Sequence, residues 1–331
     1  MRIGIVYNKP VPSYYDITGE QRAVDDVLEA VMAVQWSLLE LGHSVTRVPL
    51  ALPMEKVKRK LSRLRAELVF NLFEGFCGHP DTEPDIPAIL SDSGIPYTGC
   101  SPETLKLALN KAASKTVLKS GGLVTPDFQL LGPGNLSAFR LSYPCVVKPN
   151  SEDASHGVSE DSVVNDFSSL ERQLRRIIHL YGGEETLVEE YLDGREFNAT
   201  VIGNSSGSVL AISEIVFTLS PGMPNILTYE SKWNTKSDYY RGTRVVCPAR
   251  ISEDERQKIT GVAEKAYSLT GCRGYARVDM RTDKQGRINV IEINPNPDIA
   301  LDSGAALQAR AAGLEYKQFI NKIVSLALEA E

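Results

Sequence analysis

The chain has no C-x-x-C pair, and its five cysteines (Cys77, Cys100, Cys145, Cys247, Cys272) are odd in number and scattered. That pattern argues for reduced thiols rather than a disulfide framework or a zinc site. It also has no long apolar run. Even its most apolar helical stretch, Val27 to Gly42, is interrupted by Glu29, Gln35 and Glu40, so no membrane span is expected. The opening segment, Met1 to Lys9, lacks the apolar core and cleavage site of a secretory signal, and a cytoplasmic location is expected. There is no basic excess: 36 Lys and Arg against 42 Asp and Glu give 36 − 42 = −6, a balance that does not make a nucleic-acid footprint. No G-x-G-x-x-G follows the first apolar run, which removes support for dinucleotide chemistry.

What is present is a folded chain of 331 residues, long enough for about two domains or two to three lobes around one cleft. The first third alternates strand and helix signals. Arg2 to Tyr7, Ser44 to Leu50, Glu67 to Phe73 and Ile95 to Thr98 read as strands; helices are expected from the Thr18 to Gln21 cap to Gly42, over Pro53 to Arg65, over Asp85 to Ser93, and after Ser101-Pro102-Glu103. This rhythm predicts a parallel, doubly wound sheet. The middle offers a helix from about Lys111 closed by Gly121-Gly122, a strand at Pro144 to Lys148, and a helix at Phe167 to Tyr181. The last third is antiparallel in character, with strands at Thr186 to Leu192, Glu196 to Ile202, Val209 to Phe217, Gly274 to Arg281 and Arg287 to Asn294. Helices are expected at Glu253 to Thr270 and Leu314 to Leu328, and Pro221 to Gly242 reads as a mobile loop. The fold class is α/β and α+β.

Three segments carry chemistry. Arg277-Val278-Asp279 and Glu292-Ile293-Asn294 flank the turn Asp283 to Gly286 and should pair as a hairpin. If Thr282 pairs with Arg287, Arg277 lies opposite Glu292 and Asp279 opposite Val290. One face then holds Arg277, Asp279, Glu292 and Asn294, and the other Ala276, Met280, Ile291 and Ile293. Hard oxygen donors converging without His or Cys suit magnesium carried by a nucleotide triphosphate; a surface hairpin with a salt bridge is the plainer alternative. Lys148 ends an apolar strand, where an ammonium needs an anion such as phosphate, or simply faces solvent. The small polar loop Ser151 to Gly157, with Ser155 and His156, could cradle phosphates through its amides. Leu187 to Leu192, then Gly194 to Asn198, reads as an edge whose acceptors suit an adenine amine and a ribose, or as an amphipathic hairpin.

Taken in order, Ile95-Pro96-Tyr97-Thr98-Gly99, Asn110-Lys111 with Lys115, Val147-Lys148-Pro149, Gly194-Arg195-Glu196, and the Arg277-Val278-Asp279 and Glu292-Ile293-Asn294 pair resemble the D-alanine:D-alanine ligase family of the ATP-grasp superfamily over nearly the whole chain. The resemblance implies an ATP-grasp fold: an N-terminal α/β domain (1–105), a central lobe (106–185) and a C-terminal lobe with a metal site (186–331). It also implies an ATP-dependent carboxylate-amine ligase that works through an acyl phosphate. By motif, Lys111, Lys148, Ser155 and Lys232 would meet ATP phosphates, Glu189 the adenine amine, Glu190 and Leu192 the adenine hinge, and Glu196 the ribose. Asp279, Glu292 and Asn294 would hold magnesium, two ions with Glu292 bridging, or manganese. Arg277 would stabilise the tetrahedral intermediate, with Lys232 beside it. Glu20, Glu74, Trp233, Asp298 and Ser303 would face amino-acid or peptide substrates, and a homodimer is implied by the family only.

The substrate side departs from the family pattern. Ala154 stands for the first loop serine and Trp233 for the closing-loop tyrosine; Glu74 replaces a histidine, Asp298 a glycine, and Gly304 the leucine after Ser303. These changes keep two alternatives in view: a ligase for another amino acid, peptide or modified metabolite, and a catalytically silent nucleotide-binding protein.

Overall fold

The computed structural model describes residues 1–11, 27–153, 155–183 and 185–329. The expected helix start at Thr18 to Gln21, with Glu20, lies outside them, as does Ala154. The first third builds β1 (Arg2–Asn8), α1 (Val27–Glu40), β2 (Ser44–Leu50), α2 (Met54–Ser62), β3 (Leu68–Leu72), α3 (Asp85–Asp92) and α4 (Pro102–Leu109). The three strands pair in parallel in the order β2-β1-β3. Ile3, Ile5 and Phe70 face α1, while Val6, Val48 and Val69 face Val57 and Leu61 of α2 and Ile86 and Leu90 of α3. Helices on both faces explain why all five residues of β3 are buried. Ser101 caps α4 as expected, its Oγ accepting the Thr104 N–H at 3.3 Å. The Ile95 to Thr98 strand does not form. Only the Val69–Tyr97 bridge pairs there, because Pro96 has no N–H to give and Gly99 turns the chain away at φ +90°.

The middle adds α5 (Lys111–Ser120), β4 (Phe128–Leu131), β5 (Cys145–Lys148), β6 (Val163–Val164), α6 (Phe167–Tyr181) and β7 (Thr186–Glu190), with sheet order β4-β7-β5-β6. Cys145, Val147 and Val188 pack on Leu170, Leu174 and Ile177 of α6. Strand alternation therefore turns Val146, Lys148 and Glu189 to the opposite face. β7 is an inner strand, not the expected edge, since β4 and β5 pair on either side of it.

The last third holds β8 (Glu196–Gly203), β9 (Gly207–Phe217), α7 (Tyr229–Trp233), α8 (Asp238–Gly242), β10 (Thr243–Val246), α9 (Glu253–Leu269), β11 (Gly274–Thr282), β12 (Ile288–Asn294), α10 (Gly304–Ala311) and α11 (Tyr316–Leu328). Its antiparallel sheet runs β10-β9-β8-β11-β12. α9 starts on a capping box between Ser252 and Glu255 and buries Ile259, Ala263 and Ala266 against Phe197, Ala199, Val278 and Met280. The stretch read as a mobile loop carries the short helices α7 and α8. α11 returns to the first sheet, placing Phe319 and Ile320 beside Ile5 and Phe70.

The β7–β8 turn needs Gly194. A Cβ there would lie 2.1 Å from the Thr282 carbonyl oxygen and 2.2 Å from its Oγ1. Gly194→Ala is expected to cost about 1–3 kcal/mol, readable by denaturant unfolding, and an unchanged midpoint would refute it.

Candidate active site

The two antiparallel sheets meet over the N-terminus of α5, and the site is built there. On β11, Ala276, Val278 and Met280 enter the core under α9, so Arg277, Asp279 and Arg281 take the other face, about 7 Å from one to the next. The register differs from the expected one. Arg277 lies opposite Asn294 and Asp279 opposite Glu292, and Thr282 pairs with Ile288. A bulge after Asp279 makes Ile291 the extra residue. Val290 and Ile293, three apart, therefore both reach the core; Val290 was expected on the Asp279 face, and Ile291, expected beside Ile293, does not reach the core. The four functional side chains still share one face. The bulge also frees the Ile291 carbonyl, which accepts from Lys115 Nζ at 3.1 Å.

Arg277 grips Asp279 with Nε at 2.7 Å and Nη2 at 2.8 Å, a bidentate pair. Asn198 Nδ2 donates to the same Asp279 Oδ1 at 2.7 Å. Burial works against the Arg277 charge, but Asp279, Glu292 and Asp298 together raise its pKa above the usual arginine value. Lys111, only 5% exposed, opens α5 under the Asn110 cap and meets Glu292 Oε1 at 2.9 Å. It also donates to the Glu152 carbonyl, docking the polar loop on the helix. Burial alone would raise the Glu292 carboxyl, yet Lys111 and Lys148 hold it down at about 2. Ser155, in that loop, sits at φ +63°.

One turn after Lys111 on the same helix, Lys115 is 1% exposed. Its Nζ lies 2.8 Å from Glu189 Oε2, and Lys148 Nζ lies 2.6 Å from Glu189 Oε1. Val146 pairs with Glu189 across β5 and β7, which makes Lys148 and Glu189 diagonal neighbours on one face. Burial would raise Glu189, but the two lysines hold it below the usual carboxylate value. Burial lowers Lys115 to about 8. Lys232, on α7, is also brought to about 8 by burial and by nearby Arg277. Beside them, the Tyr229 ring lies 5.5 Å from His156 and 6.3 Å from Trp233. Glu190 is exposed and Leu192 buried at the β7 end.

Lys115 had only its place in a motif to mark it, although a spacing of four from Lys111 puts both on one helix face. Arg281 was missed. It lies 3.5 Å from Glu196 Oε2, donates to the carbonyls of Gly194 and Asn225, and continues the alternation of Arg277 and Asp279. The substrate-side residues are more dispersed. Glu74 is exposed after β3, Ser303 caps α10 by accepting from Ala306 N at 3.2 Å, and exposed Asp298 accepts from Ala300 N at 2.8 Å.

Glu83 was missed as well. This 8% exposed acid accepts from Asn296 Nδ2 at 2.6 Å, and the same amide donates to the Phe73 carbonyl at 3.2 Å, tying the parallel-sheet lobe to the segment after β12. Burial and the charge of Asp153 push Glu83 well above the usual carboxyl value. The unfolded chain then ionises first, so stability is full below the unfolded pKa and falls as pH rises toward the folded one. Glu83→Gln keeps an acceptor for Asn296. It is expected to melt a few degrees above wild type at neutral pH with a margin that grows from pH 5 to 8, and a pH-independent margin would refute this.

Among the described residues no group of three His, Cys, Asp or Glu side chains is disposed to hold a metal. The set here is two carboxylates and the Asn294 amide, whose Oδ1 accepts from Asn296 N at 2.9 Å. Both carboxylates are engaged by cations, Arg277 on Asp279 and Lys111 on Glu292, so positive charge already stands where a divalent ion would sit, and hard oxygen donors fit magnesium. No helix among the described residues is long and apolar enough to cross a membrane.

Residues 119–325 match the family model described as D-ala D-ala ligase C-terminus. The chain is 31% identical over 308 residues to the D-alanine–D-alanine ligase of Desulforudis audaxviator, covering 91% of this chain and 94% of that protein. It is 35% identical over 260 residues to the uncharacterised protein y4sG of Sinorhizobium fredii, 78% of this chain and 74% of that one. In fold, it aligns with the crystal structure of the VanG D-Ala:D-Ser ligase of Enterococcus faecalis at a TM-score of 0.76 and 18% identity, over 99% of each chain. The chain belongs to the D-alanine–D-alanine ligase family, with the ATP-grasp fold and the ATP-dependent, carbon–nitrogen bond-forming chemistry of that family.

Proposed function

We propose that the chain uses ATP to activate the carboxylate of one amino acid or small peptide and joins it to the amino group of a second. A carboxylate oxygen attacks the γ-phosphorus and ADP leaves; the amine nitrogen then attacks the acyl carbon, phosphate leaves, and the nitrogen loses a proton. The observation that carries this reading is the convergence of Lys111, Lys148, Lys232 and Arg277 on Glu189, Glu292 and Asp279 in one cleft. Phosphoryl transfer needs mainly positioning and charge neutralisation of this kind.

Lys111, Lys148 and Lys232 take the ATP phosphates with the amides around Ser155. Glu189 keeps its lysines aimed there and meets the adenine amine, the Glu190 and Leu192 backbone lines the adenine, and Glu196 takes the ribose. Magnesium or manganese, as two ions held by Asp279, Glu292 and Asn294, would supply further charge neutralisation on the phosphates. Arg277 steadies the oxyanion of the tetrahedral intermediate. Lys232 and Trp233 on α7 cover the reacting atoms, where exclusion of water protects an acyl phosphate. Glu74, Asp298 and Ser303, with Glu20, face the substrates.

For the substrates, the first reading is the family's own pair, D-alanine with D-alanine; a second keeps this chemistry and changes the pair, favoured by carboxylates at Glu74 and Asp298, which suit an amine better than a substrate carboxylate. Phosphate release from ATP across D- and L-amino acids, singly and in pairs, with products identified by mass, decides between them. D-alanyl-D-alanine supports the first reading, and turnover only with another pair supports the second. Nucleotide binding with no turnover on any pair, dipeptide or amine overturns both in favour of a silent binder.

A further inference from the structure

β8 and β9 fall out of step in the middle of their pairing. Ala199 lies opposite Ile212, but Val201 lies opposite Val209, so Leu210 and Ala211 together oppose Thr200 and the ladder is interrupted. The backbone groups of Asn198 and Thr200 point to the same side of β8. A fully buried side chain from α10 fills the interruption. Gln308 Oε1 accepts from Thr200 N–H at 2.7 Å, and Gln308 Nε2 donates to the Asn198 carbonyl at 3.0 Å and to Ser213 Oγ at 2.9 Å. One carboxamide thus acts as a peptide unit inserted into the sheet, satisfying a donor and an acceptor that burial would otherwise leave at cost.

The strand residue held this way is Asn198, whose own side chain donates to Asp279 Oδ1 at 2.7 Å. Asp279 is in turn gripped by Arg277. The clamp also sits five residues after Ser303, the cap of the same helix. We propose that Gln308 is a positioning residue of the ligase site: it fixes the Asn198 backbone in the interrupted ladder, and through the Asn198 amide it sets the orientation of the Asp279 carboxylate toward Arg277 and the bound cation. The inference rests on the reading of Asp279 given above.

The test uses the full chain and Mn2+ with ADP as probe, with binding measured by calorimetry and turnover measured separately. Gln308→Leu is expected to weaken Mn·ADP binding about fivefold to twentyfold and lower kcat by a similar factor, with little change in KM for the amino substrates. Gln308→Glu, which keeps the acceptor for Thr200 but loses the donor to Asn198, should act in the same direction and serves if the leucine variant does not fold. Asn198→Ala combined with either should be no worse than Asn198→Ala alone, the sign of action through one residue. Tyr267→Phe supplies the structural comparison. It removes a buried 2.6 Å bond from Tyr267 to the Gly203 carbonyl at the far end of β8 and should lower the melting temperature while leaving Mn·ADP binding and kcat alone. If the Gln308 variants lower only the melting temperature, or if their effect adds in full to that of Asn198→Ala, the positioning role is overturned. If Asp279→Ala binds Mn·ADP like wild type, the reading of Asp279 fails and the inference falls with it.

Discussion

An Arg277→Ala protein is expected to bind nucleotide and release almost no phosphate, with kcat down about a hundredfold to a thousandfold, the usual loss when one oxyanion-stabilising donor is removed. The position of Arg277 along β11 explains why chemistry should suffer more than nucleotide binding. On the cleft face the strand carries Arg281 beside Glu196, then Asp279, then Arg277, then Tyr275, whose hydroxyl donates to Asn296 Oδ1 at 3.3 Å. Arg277 is therefore about 13 Å along the strand from the end assigned to the ribose, on the side proposed for the substrates. Arg277→Lys should recover only part of the loss, because an ammonium cannot reproduce the two-bond grip on Asp279. ADP affinity measured without a divalent ion is expected within a few fold of wild type for both variants. A ligation rate unchanged in Arg277→Ala would remove this residue from the reaction.

What could be read from the sequence was whatever has a local cause. α6 was expected at the residues where it occurs, because its cap and its apolar spacing lie within the segment: Asp166 accepts from Ser169 N at 2.7 Å, and Leu170, Leu174 and Ile177 form the buried stripe. Ser101 announced its helix in the same way. The shared face of Arg277, Asp279, Glu292 and Asn294 was legible from strand alternation, but the register was not. A bulge at Ile291 has no signature in its own residues, and its cause is the distant Lys115 and Val124, which bond to the Ile291 carbonyl and the Val290 amide. Whether β7 is an edge depends on β4 and β5, and nothing between Thr186 and Glu190 records them. Gln308 and Glu83 were invisible for the same reason, since each is polar and buried and its side chain finds its hydrogen-bond partners more than ninety residues away. Motif order revealed the chemistry; the charge network that holds the motifs together needed the fold.

The center of that network is Glu189, and its removal should have the largest effect on stability. Glu189→Leu leaves two ammoniums with side chains only 1% and 9% exposed without their shared carboxylate, so a loss of about 3–5 kcal/mol is expected near pH 7. The pH dependence distinguishes this cause from simple mispacking. Burial already lowers Lys115 to about 8 in the wild type, below its value of 10.5 in the unfolded chain, and loss of Glu189 removes an interaction that held it up. Between the folded and unfolded values the unfolded state binds more protons, so stability contributed by this group rises with pH. Because the folded value is lower still in the variant, its rise begins earlier, and the gap to wild type should narrow as pH rises from about 6 toward the wild-type value of about 8 and stay constant above it. Adding Lys115→Met to Glu189→Leu should recover much of the loss even at pH 7, since an apolar pair of similar volume replaces a stranded charge. Denaturant unfolding of the three proteins at pH 6 and pH 8 is the measurement. A gap that stays constant from pH 6 to pH 8, or a double variant no more stable than Glu189→Leu, would show that the carboxylate is not what keeps Lys115 charged.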